Sequence, residues 1–216
     1  MIENKKIAFL GDSITFGCGA SDKKYSFVEV FQRETKSNCV NLGISGSRIS
    51  YQTAPSVDNL YWDKFYETRL DEIPSDSDII VVFGGTNDFG HGDAPLGKMG
   101  DKTVLTFYGA LYQLMSKLKV VFPSSKIVFA TPLKREWDER EVSYREKPVT
   151  LDEFREAIIS SAKLFDLPVI DLYNLFDVNP KNEEEKMKYM PDGLHPSDDG
   201  HALLAEIFKN ELEKLA

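Results

Sequence analysis

Residues 79–88 read IIVVFGGTND. An unbroken run of Ile, Val and Phe suits a strand buried on both faces, as in a parallel sheet, and the paired glycines end it. Four other short apolar runs lie at 7–10, 39–42, 126–130 and 168–172, and most of the five share this character. Helical patterns lie between them. The clearest covers 102–121, where Val104, Phe107, Tyr108, Leu111, Leu114, Met115, Leu118 and Val121 recur at three- and four-residue steps before Pro123. A second covers 151–165. A third covers 198–215, with Ser197 as N-cap and Asp198 and Asp199 in the first turn. Weaker helical stretches cover 25–35 and 61–73, and 181–188 reads as a solvated loop or short helix. Strands alternating with helices predict an α/β fold, a parallel sheet covered on both faces. With no repeat and no linker, residues 1–216 are expected to form one domain.

The chain has 216 residues, and 26 Lys and Arg against 35 Asp and Glu give a net charge of -9. Nucleic-acid binding rests on neutralising phosphates with cationic side chains, so a general nucleic-acid binder is not expected. The same balance disfavours an anionic membrane surface. No stretch approaches the roughly 20 apolar residues of a membrane span. The run 7–10 is too short for the core of a signal peptide. Cys18 and Cys39 form no CxxC and have no His at zinc-site spacing. The expectation is a cytoplasmic protein with reduced thiols, no metal and no cofactor.

In open α/β sheets the working site lies outside the carboxyl ends of the strands. The segments to search are therefore 11–21, 43–60, 84–101, 131–150 and 173–196. The first begins GDSITFG, with Ser13 just past a buried strand. The last contains PDGLHP, where Asp192 and His195 stand three apart between prolines that fix the backbone. Asn87 follows the most hydrophobic strand and can donate to a developing oxyanion. In NLGISGS, residues 41–47, Gly43 offers an unhindered N–H, with Gly46 a neighbouring candidate. Each feature alone reads as a turn. Together they place a nucleophile, a base, its orienter and oxyanion donors on one edge of one sheet.

These blocks resemble the SGNH hydrolases, also called the GDSL-type esterase/lipase family. Their pattern is matched by Gly11-Asp12-Ser13 with Gly17, then Gly43, then Gly85-Thr86-Asn87-Asp88, then Asp192 with His195, in order along essentially the whole chain. The resemblance implies a three-layer α/β/α, flavodoxin-like fold with a five-stranded parallel sheet in the order 2-1-3-4-5. It implies Ser13 as nucleophile, His195 as general base and Asp192 as its orienter. The oxyanion hole it implies is the N–H of Ser13 and of Gly43 with the side chain of Asn87.

Residues 92–98 fit the first seven positions of a P-loop, but Met99 stands where magnesium needs Ser or Thr, and no helix follows at once. Gly17-Cys18-Gly19 begins a dinucleotide pattern that Asp22 breaks, and the GxSxG of α/β-hydrolases is absent around Ser13. The loops carry Arg48, Tyr51, Gln52, Tyr61, Trp62, Trp137 and Tyr144 among many charges. A long acyl chain wants an apolar trough. The expected activity is a short-chain carboxylic esterase working through an acyl-enzyme. Its expected substrate is an acetyl ester of a small polar alcohol or carbohydrate, with Asp12, Tyr51 and Trp137 as contacts. The alternatives are a lysophospholipase or thioesterase of the same family, or a flavodoxin-like binding module without catalysis.

Overall fold

In the computed structural model, which describes residues 2–54, 63–144 and 146–215, β1 (Lys6–Gly11) lies between β2 (Asn38–Gly43) and β3 (Ile79–Phe83). β4 (Lys126–Ala130) and a two-residue strand, Val169–Ile170, complete a five-stranded parallel sheet. Counting only its own strands, the sheet order is 2-1-3-4-5, as expected. The loop after β4 adds an antiparallel pair, β5 (Glu139–Arg140) and β6 (Val149–Thr150), so Val169–Ile170 is β7 in chain order.

The unbroken apolar runs are explained by the two faces. Ile7, Phe9, Ile79, Val81 and Phe83 point into one core, shared with α2 (Phe27–Thr35) and α8 (Asp198–Leu215). Ala8, Leu10, Ile80 and Val82 point into the other, shared with α4 (Phe107–Val121) and α5 (Leu151–Leu164). A period of two with both sets buried leaves no polar position in the strand. β2 is the exception: it is an edge strand and only partly buried. The short helices are α1 (Ser13–Phe16), α3 (Thr86–Gly90), α6 (Leu172–Leu175) and α7 (Glu183–Tyr189).

Three boundaries differ from the periodicity. α4 starts at Phe107, not 102, because Thr106 is extended and its hydroxyl caps the helix by accepting from Gly109 N–H at 3.2 Å. The run 168–172 gives only two strand residues before Leu172 opens α6. Within 61–73 the described part is a 3₁₀ helix, Tyr66–Glu72; Tyr61 and Trp62 lie outside the described residues. α8 matches its prediction, with Ser197 Oγ accepting from Gly200 N–H at 3.2 Å.

The first core is built around packed rings. Phe208 of α8 sits 5.6 Å from Phe9, 5.1 Å from Phe27 and 5.9 Å from Phe83, ring centre to ring centre. Phe208→Ala is expected to cost about 3–5 kcal/mol, as for other buried Phe truncations. Val120→Ala, at a side chain 77% exposed, should stay within about 0.5 kcal/mol. Urea unfolding of both variants checks this, and equal midpoints would contradict the packing described.

Candidate active site

Gly11, Gly43 and Phe83 stand in register across β2, β1 and β3, so three loops leave the sheet at one level. From β1 the chain turns at once into α1. Asp12 caps that helix, its Oδ1 accepting from Ile14 N–H at 3.0 Å, and Ser13 is the first helical residue. At that position a backbone N–H has no acceptor within the helix and is left for another group.

Ser13 Oγ lies 3.0 Å from His195 Nε2, and His195 Nδ1 lies 2.7 Å from Asp192 Oδ2. A carboxylate only accepts, so Nδ1 carries the ring proton, Nε2 is the free lone pair, and the Ser13 hydroxyl donates to it. Asp192 Oδ1 takes the N–H of Leu194 at 2.9 Å and of His195 at 2.6 Å. Desolvation pushes the Asp192 carboxyl up. The His195 N–H, the His195 ring and the Leu194 N–H outweigh it and hold the group below the usual carboxylate range. Asp192 therefore stays ionised where imidazole titrates. Glu136 N–H donates to Gly193 O at 2.9 Å, which leans the loop after β4 onto this turn.

Asn87 sits in α3. Its Nδ2 donates to Ser47 O at 3.0 Å, and its Oδ1 is 3.0 Å from His91 Nε2. The Ser47 hydroxyl shares its one hydrogen between Ile44 O at 2.8 Å and Gly11 O at 3.3 Å, so Ser47 links the loops after β1, β2 and β3. The neighbouring Asp88 clamps the second loop, accepting from Ile49 N–H at 2.9 Å, Ser50 N–H at 2.8 Å and Ser50 Oγ at 2.5 Å.

The geometry corrects two expectations. The Gly43 N–H is already committed to Asn41 Oδ1 at 2.9 Å, so it is not an open oxyanion donor. A Cβ on Gly43 would overlap the backbone of Phe16, so this glycine is required for close approach instead. The N–H of Gly46, at φ 76°, has no hydrogen-bond partner among the described residues. Asp12, at 1% exposed, is a buried cap and not a substrate contact. Tyr51 and Trp137 are exposed, at 41% and 59%. The P-loop-like segment closes on its own acid, Lys98 N–H donating to Asp101 Oδ2 at 3.1 Å.

Three residues near these loops carried no local signal. Arg48 and His91 adjoin Asn87, with Arg48 Nη1 2.8 Å from His91 Nδ1. His201 of α8 accepts Phe27 N–H on Nδ1 at 3.2 Å, and its Nε2 donates to Cys18 O at 3.1 Å. Cys18 lies against the second loop, its Sγ 3.2 Å from Ser45 Oγ.

Burial pushes the Asp12 carboxyl up to about 7, with the nearby Asp88 adding to the shift and the Ile14 N–H and Arg69 opposing it. The folded state thus keeps a proton that an unfolded Asp releases near pH 3.9, at about the free value. Asp12 therefore lowers stability as pH rises from about 4 to 7. Asp12→Asn keeps an amide oxygen for the cap and removes this titration. Its unfolding free energy should fall less than that of the wild type between pH 5 and pH 8. Parallel pH dependence in urea titrations would refute the buried-proton assignment.

The model of the GDSL-like lipase/acylhydrolase family matches residues 9–203. One solved protein is 30% identical, with a TM-score of 0.84, covering 100% of this chain and 99% of its own. A protein from Lactobacillus plantarum is 28% identical, with a TM-score of 0.82 and 99% of each chain covered. A possible lipase from Chitinophaga pinensis, 24% identical over 97% of this chain and 98% of its own, has a TM-score of 0.67 and bears on the fold alone. No curated protein matches the sequence.

Proposed function

The chain belongs to the GDSL-like lipase/acylhydrolase family, and from that premise we propose that it is a serine-dependent carboxylic ester hydrolase. The observation that carries this reading is the unbroken chain Asp192–His195–Ser13, at 2.7 Å and 3.0 Å. His195 Nε2 takes the hydroxyl proton as Ser13 Oγ attacks the ester carbonyl carbon. Asp192 holds the imidazole in the required tautomer and stabilises the imidazolium. The oxyanion is received by the N–H of Ser13, the N–H of Gly46 and the Asn87 amide. The tetrahedral intermediate then collapses, and the alcohol leaves with the proton from His195. Water attacks the acyl-enzyme by the same steps in reverse roles and frees Ser13.

For the substrate we propose a short acyl group, acetyl first, on a small polar or carbohydrate alcohol. The support is compositional. The loops that leave this sheet edge carry Gln52, Arg135 and Glu136 as well as Tyr51 and Trp137 in their sequences, not a continuous apolar run. One feature favours the lysophospholipase or thioesterase reading as a second choice. Phe16, 60% exposed, borders a hollow of about 490 Å³ beside α1, with Gly17, Ala20 and Asn41. We place the enzyme in the cytoplasm, a reading supported by Cys18 and Cys39 standing as free thiols. No helix among the described residues is long and apolar enough to cross a membrane.

Nitrophenyl acetate, butyrate and octanoate distinguish these readings. Acetate should turn over fastest and Ser13→Ala should abolish turnover of all three; fastest octanoate would move the substrate to the second choice. Ser13-independent turnover would end the serine mechanism. Asn87→Ala should lower kcat by about 10²–10³ with the fold intact, as loss of one oxyanion donor does. Full activity in that variant would remove Asn87 from the mechanism.

A further inference from the structure

The hydrogen bonds behind Asn87 form a directed series. Arg48 is 1% exposed, and its guanidinium can only donate. At 2.8 Å from Arg48 Nη1, His91 Nδ1 must therefore be the accepting nitrogen. The neutral ring then carries its proton on Nε2, which donates to Asn87 Oδ1 at 3.0 Å. This fixes which end of the Asn87 amide is oxygen. Nδ2 has two hydrogens. One goes to Ser47 O at 3.0 Å, and the other is left for the oxyanion. A flipped amide would set oxygen against the Ser47 carbonyl and NH₂ against the His91 N–H.

We propose that His91 and Arg48 are positioning residues for the oxyanion hole, holding and polarising the Asn87 amide through the series Arg48–His91–Asn87. This rests on the ester-hydrolase reading of Ser13. Donation into Oδ1 draws electron density from the amide and strengthens Nδ2–H as a donor. A positive charge at the far end of the series adds to that polarisation. Arg48 is itself held by Asp63, Nη2 to Oδ1 at 2.8 Å. His91 is exposed overall, but both ring nitrogens are engaged. Loss of water around them, then the charges of Arg48, Arg135 and Arg140, hold its pKa down to about 4 against the pull of Asp63. The ring accordingly remains neutral, as the series requires, throughout the range where imidazole bases work. Ser47 holds the amide from the other side, so removing His91 weakens the donor without abolishing it.

The tests use the full-length protein. Long-range ¹H–¹⁵N spectra of the wild type near pH 7 should show His91 protonated on Nε2 and bare on Nδ1; the opposite tautomer would overturn the proposal whatever the activity. His91→Leu, an exchange at an exposed ring, should lower kcat for nitrophenyl acetate by roughly tenfold and leave KM unchanged, a part of what a whole oxyanion donor contributes. In an Asn87→Ala background the same exchange should cause no further loss. Losses that multiply, or a raised KM at constant kcat, would show that His91 acts elsewhere. Ser13→Ala separates the two levels. If turnover survives it, the ester-hydrolase reading fails, and the tautomer still decides whether Asn87 is held in this way.

Discussion

The register of β1 between β2 and β3 is the constraint on which the site depends. It brings Gly11, Gly43 and Phe83 to one level, so the loops carrying Ser13, Ser47 and Asn87 start as neighbours. A slip of one residue in a parallel ladder exchanges the two faces of the strand. Here it would turn Phe9 and Val81 out of the core they share with α2 and α8. Burial on both faces thus makes the register costly to lose. The precision of the site is inherited from the packing of residues far below it.

Above the sheet, buried polar groups take over from apolar packing. Arg69 is fully buried, and its guanidinium bonds Gly11 O, the Ser47 hydroxyl and Leu42 O, stitching the ends of β1 and β2 to the second loop. Asp88 does the same between α3 and residues 49 and 50. A buried carboxylate or guanidinium is tolerated only when its bonding capacity is filled, and filling it fixes several backbone segments at once. Buried charge therefore serves here to lock irregular loops that hydrophobic contact alone leaves loose.

The fold was legible because its evidence is local. The run 79–83, the glycines after it and the heptad-like spacing of 107–121 each report on their own few residues. Ser13, Asp192, His195 and Asn87 were legible because each sits in a short block beside a strand end or the last helix. Gly43 was misjudged because its N–H is consumed by Asn41, a side-chain choice within an edge strand that no spacing encodes. Asp12 was misread as a contact because a capping carboxylate and a ligand-facing one look alike in sequence. Arg48 and His91 lie 43 positions apart, and their pairing exists only once β2 and β3 flank β1. The helix boundaries moved where a single threonine hydroxyl, at Thr106, set the first turn.

Ser13 and His195 are separated by 182 positions, and His201 pins the last helix to Phe27 and Cys18 near the other end of the chain. The serine and the imidazole that meets it are therefore joined by tertiary structure alone. The Asp192–His195–Ser13 series cannot assemble until the turn after β1 and the turn before α8 are both folded into place. Folding thus governs the state of Ser13: an unfolded chain carries an ordinary serine hydroxyl, and only the folded one holds that hydroxyl against His195.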